Sequence, residues 1–228
     1  YHIEVIPEFN LSPCHDSWLG DYHALVDKLV YFQTVQDILS EYADNIDPLV
    51  KYIHLGMDEE STCHSQNMNL DPLIIRPPSE RIESVSKFIR FPDSKNIIAM
   101  IWADIILTDR PGGKWLWELY DDNSENIRLL KEKVIHFDWL PYTTIGNFLV
   151  TEELIKRNMK TIIASWYRSQ TETGFTFNVA QKAFTLKDKN VMGVMQTIWP
   201  AGMKTGNKPV YLKYINTSFL LFIYFFYF

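Results

Sequence analysis

Short, continuous apolar runs recur along the chain, and most are followed by a stretch in which apolar residues return every three or four positions. A continuous run is typical of a strand covered on both faces, and the wider spacing is typical of an amphipathic helix. The predicted strands are residues 3–6, 52–55, 97–102, 134–137, 161–164 and 191–198. The predicted helices are residues 22–46, 79–89, 115–131, 151–158, 178–185 and 209–215.

This alternation predicts an α/β fold with a parallel sheet, because successive strands are separated by a whole helix and not by a hairpin turn. No glycine-rich turn follows any predicted strand, which argues against a dinucleotide-binding fold. The architecture we expect is a (β/α)8 TIM barrel of which about six βα units are present. Residues 1–217 form this predicted partial barrel, and the abrupt start inside a strand fits an N-terminally incomplete domain.

Residues 218–228 are set apart as an apolar C-terminal tail. Its wholly apolar or aromatic part, residues 219–228, is shorter than the roughly 20 residues that a membrane span needs. Three interpretations stay open: the buried end of a helix, the start of a truncated span, or translated non-coding sequence. No membrane span is therefore established.

Composition narrows the choice of partner and compartment only slightly. With 46% hydrophobic residues and a net charge of −6, the chain is globular and lacks the clustered basic residues of a nucleic-acid binder. The two cysteines, Cys14 and Cys63, are expected to be free thiols. The His and carboxylate positions show no ligand spacing, so neither a metal nor another cofactor is predicted.

Aromatic and acidic residues gather where the predicted strands end, which is where a (β/α)8 barrel carries its active site. Sugars have apolar C–H faces that stack on indole rings, and hydroxyls that bond to Asp, Glu and His. This pattern therefore favours a carbohydrate ligand. Of the seven tryptophans, four lie at these strand ends: Trp102, Trp139, Trp166 and Trp199.

The sharpest feature is the adjacent pair Asp58 and Glu59. Neighbouring residues of a regular strand point to opposite faces, so two such carboxylates share a pocket only where the strand has ended and the backbone turns. Gly56 permits that bend. Taken alone, such a dipeptide is more often a solvated loop, but its place after an apolar run and after His54 and Gly56 weighs considerably against that interpretation.

Segment 54–59, His-Leu-Gly-Met-Asp-Glu, resembles the His-x-Gly-Gly-Asp-Glu signature of glycoside hydrolase family 20, the exo-β-N-acetylhexosaminidases. Segment 5–15 is similar to the motif on that family's preceding strand, Ile-Pro-Glu-x-Asp-x-Pro-Gly-His. Segments 101–104 and 193–199 are similar to its fifth and last strands. The resemblance assigns the six predicted strands as strands three to eight of the barrel.

The resemblance implies removal of terminal β-linked GlcNAc or GalNAc by substrate-assisted, retaining hydrolysis. Glu59 is the implied general acid, with a pKa raised by Asp58 and by aromatic walls, and Asp58 orients the 2-acetamido group that attacks the anomeric carbon. It implies an extracellular, periplasmic or lysosomal setting and does not imply that the 228 residues are active by themselves. The implied substrate-binding residues are Glu8, His15, His54, Trp102, Asp104, Trp139, Trp166, Tyr167 and Trp199.

Departures from the family pattern leave two alternatives. Met57 replaces the second glycine of the signature, Asn10 stands in place of an Asp, and no Glu follows Trp199. One alternative is a non-catalytic carbohydrate-binding relative. The other is a two-carboxylate glycosidase of another barrel family, in which Glu59 pairs with Glu8 or Asp104.

Overall fold

A computed structural model of the chain describes residues 6–9, 11, 25, 28–45, 51–58, 78–106, 124–139, 148–166, 175–197 and 223–224. The chain divides into two units, Tyr1–His136 and Phe137–Phe228. The predicted helix at 209–215 and most of the predicted strand at 3–6 lie outside the described residues.

The first unit contains helices between parallel strands, as the periodicity predicts. Its described elements are α1 (Leu29–Asn45), β1 (Tyr52–His54), α2 (Pro78–Ser94), β2 (Ile98–Trp102), the 3-10 turn Ala103–Ile106 and α3 (Glu125–Glu132). Tyr52 pairs with Ile98 and His54 with Met100 in the parallel ladder between β1 and β2. Strand β3 (Val134–Asp138) spans the boundary between the two units.

The second unit continues the same alternation and then departs from it. Its described elements are α4 (Leu149–Lys156), β4 (Lys160–Trp166), α5 (Phe175–Leu186), β5 (Val191–Thr197) and β6 (Ile223–Tyr224). Strands β4 and β5 are parallel, whereas β6, inside the apolar tail, pairs antiparallel with β5. The α/β class with a parallel sheet is confirmed, and this antiparallel strand was not predicted.

Helix α1 buries a narrower face than its apolar pattern suggests. Tyr31, Val35 and Leu39 are buried at intervals of four residues, whereas Leu29, Val30 and Ile38 are among the exposed large hydrophobic side chains. Helix α2 packs against the buried face: the rings of Phe32 and Phe88 stack with their centroids 5.0 Å apart. At its other side α2 is tied to α3, where Arg90 Nη1 donates to Glu125 Oε1 at 3.0 Å.

The core of the second unit lies between α5 and its two flanking strands. Phe148, Ile163, Val179, Ala183, Val191 and Val194 form one buried cluster. The end of β3 is joined to α4 by a buried hydrogen bond, in which the Thr151 hydroxyl donates to Asp138 Oδ2 at 2.5 Å. The carboxyl ends of β4 and β5 are linked by Thr197 Oγ1, which donates to the Ser165 carbonyl at 2.9 Å.

His136, in the middle of β3, is completely buried. Its ring bonds through Nε2 to the Leu130 carbonyl oxygen at 2.9 Å, so Nε2 carries the proton of the neutral ring. Burial lowers the pKa of His136 to about 4, and the bond to Leu130 opposes this shift only in part. Between about pH 6.5 and pH 4, His136 is therefore mainly neutral in the folded chain, whereas an unfolded histidine is mainly protonated.

This burial predicts a loss of stability in mild acid. The folded pKa of His136 lies below the unfolded value of 6.5. The free energy of unfolding is therefore highest above about pH 6.5 and decreases by about 3 kcal/mol as the pH falls towards 4. Urea unfolding between pH 7 and pH 4 measures it. His136→Gln keeps a donor for Leu130 without titrating, and should flatten the pH dependence relative to the parent chain. Equal pH slopes for the two proteins would show that His136 does not titrate in this way.

Candidate active site

The carboxyl ends of three neighbouring strand segments meet around His54. Its N–H donates to the Pro7 carbonyl at 2.9 Å and its carbonyl accepts from Phe9 N–H at 2.7 Å, which makes Glu8 a parallel bridge partner of His54. On the other side of β1, Leu55 N–H donates to the Met100 carbonyl at 2.8 Å. Strand pairing thus continues to Glu8, two residues beyond the predicted end of the first strand.

Three of the predicted substrate-binding residues are in contact at this edge. Glu8 Oε1 lies 3.4 Å from His54 Nδ1, and the Trp102 indole N–H donates to the same oxygen at 3.4 Å. The rings of His54 and Trp102 meet edge to face, with their centroids 5.0 Å apart. Trp102 is only 4% exposed, whereas the Glu8 side chain is 47% exposed. Glu8 is therefore the member of this cluster that reaches solvent.

A backbone contact sets the hydrogen-bonding role of His54 Nδ1. Gly56 N–H donates to His54 Nδ1 at 3.1 Å, so Nδ1 is the acceptor of this bond. Nδ1 has one lone pair and cannot also donate to Glu8. Of the two contacts the backbone bond is the shorter, at 3.1 Å against 3.4 Å for the approach of Glu8 Oε1.

A sharp turn ends β1 and leads to Asp58. Gly56 has φ 70° and Met57 has φ 71°, both in the left-handed region. Glycine adopts this conformation freely, but for a residue with a Cβ it costs about 1 to 3 kcal/mol. Met57 is 1% exposed and Asp58 is 6% exposed, so the turn carries the carboxylate into a buried position. The bend that the sequence predicts at Gly56 is present, and it continues through Met57.

The remaining described candidates also follow strand ends. Asp104 is buried in the 3-10 turn directly after β2. Trp139 is buried directly after β3, and Trp166 is the last residue of β4. The Trp166 side chain lies outside the described part of the chain, as do Glu59, His15, Tyr167 and Trp199. Their predicted roles, and those of the described candidates, stay predictions.

The described residues contain no group of three or more His, Cys, Asp or Glu side chains that could hold a metal ion. None of the helices described for this chain combines the length and the apolar character needed to cross a membrane.

The left-handed conformation of Met57 is a constraint that was not predicted from the sequence. In the sequence, Met57 stands out only as a departure from a glycine in the signature. A glycine at that place in a known motif is itself the signal of a left-handed position, because only glycine adopts it without a steric penalty. The four-residue span from Gly56 to Glu59 therefore contains a backbone constraint as well as two carboxylates.

Comparison with known proteins finds similarity to this chain among solved structures. No family model and no curated protein matches the sequence. Among solved structures, β-N-acetylhexosaminidase from Bacteroides fragilis matches with TM-score 0.53 and 16% identity over 86% of this chain. Dispersin B matches with TM-score 0.50 and 14% identity, also over 86% of this chain.

The chain shares its fold with a β-N-acetylhexosaminidase. The resemblance stated from the motifs is thus confirmed at the level of the fold. The chain spans 64% of the length of Dispersin B and 43% of the length of the Bacteroides protein, which is less than two thirds of either.

The contacts of Glu8 predict how its variants behave. Glu8→Gln keeps an oxygen that accepts from the Trp102 indole N–H, whereas Glu8→Ala removes it. We expect Glu8→Ala to speed solvent exchange of the Trp102 indole proton and to lower the free energy of unfolding by about 1 kcal/mol, with a smaller effect for Glu8→Gln. NMR and urea unfolding measure both quantities. If the Glu8 charge mattered through an ion pair with His54, the two variants would behave alike, contrary to this account.

Proposed function

We propose that this chain belongs to a glycoside hydrolase that removes terminal β-linked N-acetylhexosamine from a carbohydrate by substrate-assisted, retaining hydrolysis. The observation that carries the proposal is the turn at the end of β1, which brings Asp58 to a buried position two residues after Gly56, whose backbone bonds to His54 and Trp102. The signature residue Glu59 follows Asp58 directly. The shared fold supports this reading because catalytic groups of such barrels lie at the carboxyl ends of strands.

The proposed chemistry needs a proton donor and a group that orients the substrate. Glu59 donates its proton to the glycosidic oxygen as the bond from that oxygen to the anomeric carbon breaks. The carbonyl oxygen of the substrate's 2-acetamido group forms a bond to the anomeric carbon, closing a five-membered ring, while Asp58 accepts a hydrogen bond from the acetamido N–H. Water then opens this ring and gives a proton back to Glu59, so the anomeric configuration is retained over two inversions.

The buried environment of Asp58 suits this role. A carboxylate that accepts a hydrogen bond from a substrate amide acts more strongly where water is excluded, because the local dielectric constant is low. Asp58 is 6% exposed and the preceding turn is fixed on both sides of Gly56, by His54 Nδ1 and by Trp102 N–H. This fixed geometry supports orientation of the acetamido group before the reaction begins.

Substrate contacts are proposed for the exposed and aromatic members of the strand ends. Glu8 reaches solvent and is proposed to accept hydrogen bonds from sugar hydroxyls. Its side chain is positioned by its contacts with His54 and Trp102. Asp104 is proposed as a further polar contact. The remaining proposed pocket residues are His15, Trp139, Trp166, Tyr167 and Trp199.

The barrel numbering is part of the proposal. Strands β1 to β5 are proposed as strands four to eight of a (β/α)8 barrel, and the segment that pairs with His54 as strand three. Residues 1–217 are proposed as the portion of that barrel present in this chain, with residues 218–228 outside it.

The proposal predicts turnover that depends on Glu59 and not on Glu60. The full-length protein should hydrolyse an aryl 2-acetamido-β-glucoside, and Glu59→Gln should lower kcat by about 100- to 10,000-fold because the general acid is lost. Glu60→Gln removes the same charge one residue later and is the matched control, expected to retain activity. Steady-state release of the aryl group measures both.

Two outcomes would count against the proposal. Sugar binding without turnover by the parent protein would indicate the non-catalytic binding relative. Equal losses in Glu59→Gln and Glu60→Gln would show that the effect comes from charge or folding and not from proton donation.

A further inference from the structure

The turn that carries Asp58 is held by two different means at its two left-handed residues. Gly56 is fixed through its backbone: its N–H donates to His54 Nδ1 at 3.1 Å and its carbonyl accepts from Trp102 N–H at 3.0 Å. The backbone of Met57 makes no hydrogen bond to the backbone of any other residue that the structure describes. Its conformation, with φ 71°, is instead accompanied by complete burial of its side chain.

Burial and backbone preference act in opposite directions at Met57. A residue with a Cβ avoids the left-handed region, so the intrinsic preference of Met57 is to leave this conformation. Met57 is one of the largest fully buried side chains that the structure describes. A change to another backbone conformation would turn this side chain out of the core. The buried side chain therefore keeps the turn in a conformation that the backbone alone would not keep.

We propose that Met57 is a positioning residue, whose buried side chain sets the direction in which the turn presents the Asp58 carboxylate. This inference rests on the proposed function, in which Asp58 orients the acetamido group of the substrate. A glycine at this position satisfies φ 71° without strain, but it has no side chain with which to hold that angle. In this chain Met57, which is held by its buried side chain, replaces the more flexible glycine of the signature directly before Asp58.

The kind of side chain matters for this role. Methionine is unbranched at Cβ, so it tolerates a positive φ better than Val or Ile, and its flexible thioether fills an irregular space in a core. Leucine is also unbranched at Cβ and similar in volume, so Met57→Leu should keep the anchor. Met57→Ala keeps the Cβ and loses the anchor, and Met57→Gly loses both.

The test compares these variants with a buried methionine placed elsewhere. Met159 is completely buried between α4 and β4, so Met159→Ala removes the same atoms from a core at a distance in sequence from the turn. In the full-length protein, Met57→Ala and Met57→Gly should lower kcat for an aryl 2-acetamido-β-glucoside by about 10- to 100-fold while KM changes less. Met57→Leu should restore kcat, and Met159→Ala should lower the melting temperature but leave kcat near that of the parent. Equal kcat values for Met57→Ala and Met159→Ala would overturn the inference.

A second measurement needs neither substrate nor turnover. Hydrogen exchange of the Gly56 and Asp58 amides should be faster in Met57→Gly and Met57→Ala than in Met57→Leu and Met159→Ala, under conditions where thermal melting shows each protein folded. Unchanged exchange would overturn the positioning role. A parent protein with no turnover but with this exchange pattern would refute the proposed function and leave the anchoring of the turn standing.

Discussion

The hydrogen bonds on both sides of His54 are the constraint on which the candidate site depends. Its own N–H and carbonyl bond to the segment that contains Glu8, and the next residues along β1 bond to β2. A strand bonded on both edges cannot slide without breaking bonds to two neighbours. The parallel register therefore fixes which side chains meet at the carboxyl edge: Glu8, His54 and Trp102 are in contact because their backbones are in register.

The same constraint governs the turn that follows. The ladder between β1 and β2 ends with the pair His54 and Met100, and the bond from Trp102 N–H to the Gly56 carbonyl holds the chain where it begins to turn away. His54 holds the other side of Gly56 through Nδ1, which assigns the ring a structural task at the same time as its place in the cluster. Local strain at Met57 and burial of Asp58 then occur together, a combination found at functional sites where surrounding packing over-determines the backbone.

Much of the fold could be predicted because strands β1 to β5 are buried on both faces and read as continuous apolar runs. Glu8 was placed after its strand and not within it because one charged residue at a strand end looks like a loop; only the pairing with His54 shows otherwise. The exposure of Leu29, Val30 and Ile38 was not predictable from periodicity, which locates an apolar stripe but not the width that a neighbour covers. Strand β6 was missed because antiparallel pairing with β5 is a tertiary contact with no local signal in an apolar run. At the site, the motif located Asp58, and the glycine that the signature has in place of Met57 indicates a left-handed position, whereas the burial of the Met57 side chain depends on packing that no single sequence displays.

The most direct measurement of the central claim is the affinity of the full-length protein for a GlcNAc-derived thiazoline, a stable mimic of the five-membered ring, measured calorimetrically with and without Asp58→Asn. The account predicts that the parent protein binds this compound, and that Asp58→Asn weakens binding by about 10-fold or more because a charged acceptor for the ring nitrogen is lost. Hydrolysis of an aryl 2-acetamido-β-glucoside without any binding of the thiazoline would contradict substrate assistance, since it would mean that the reaction proceeds through an enzyme carboxylate instead.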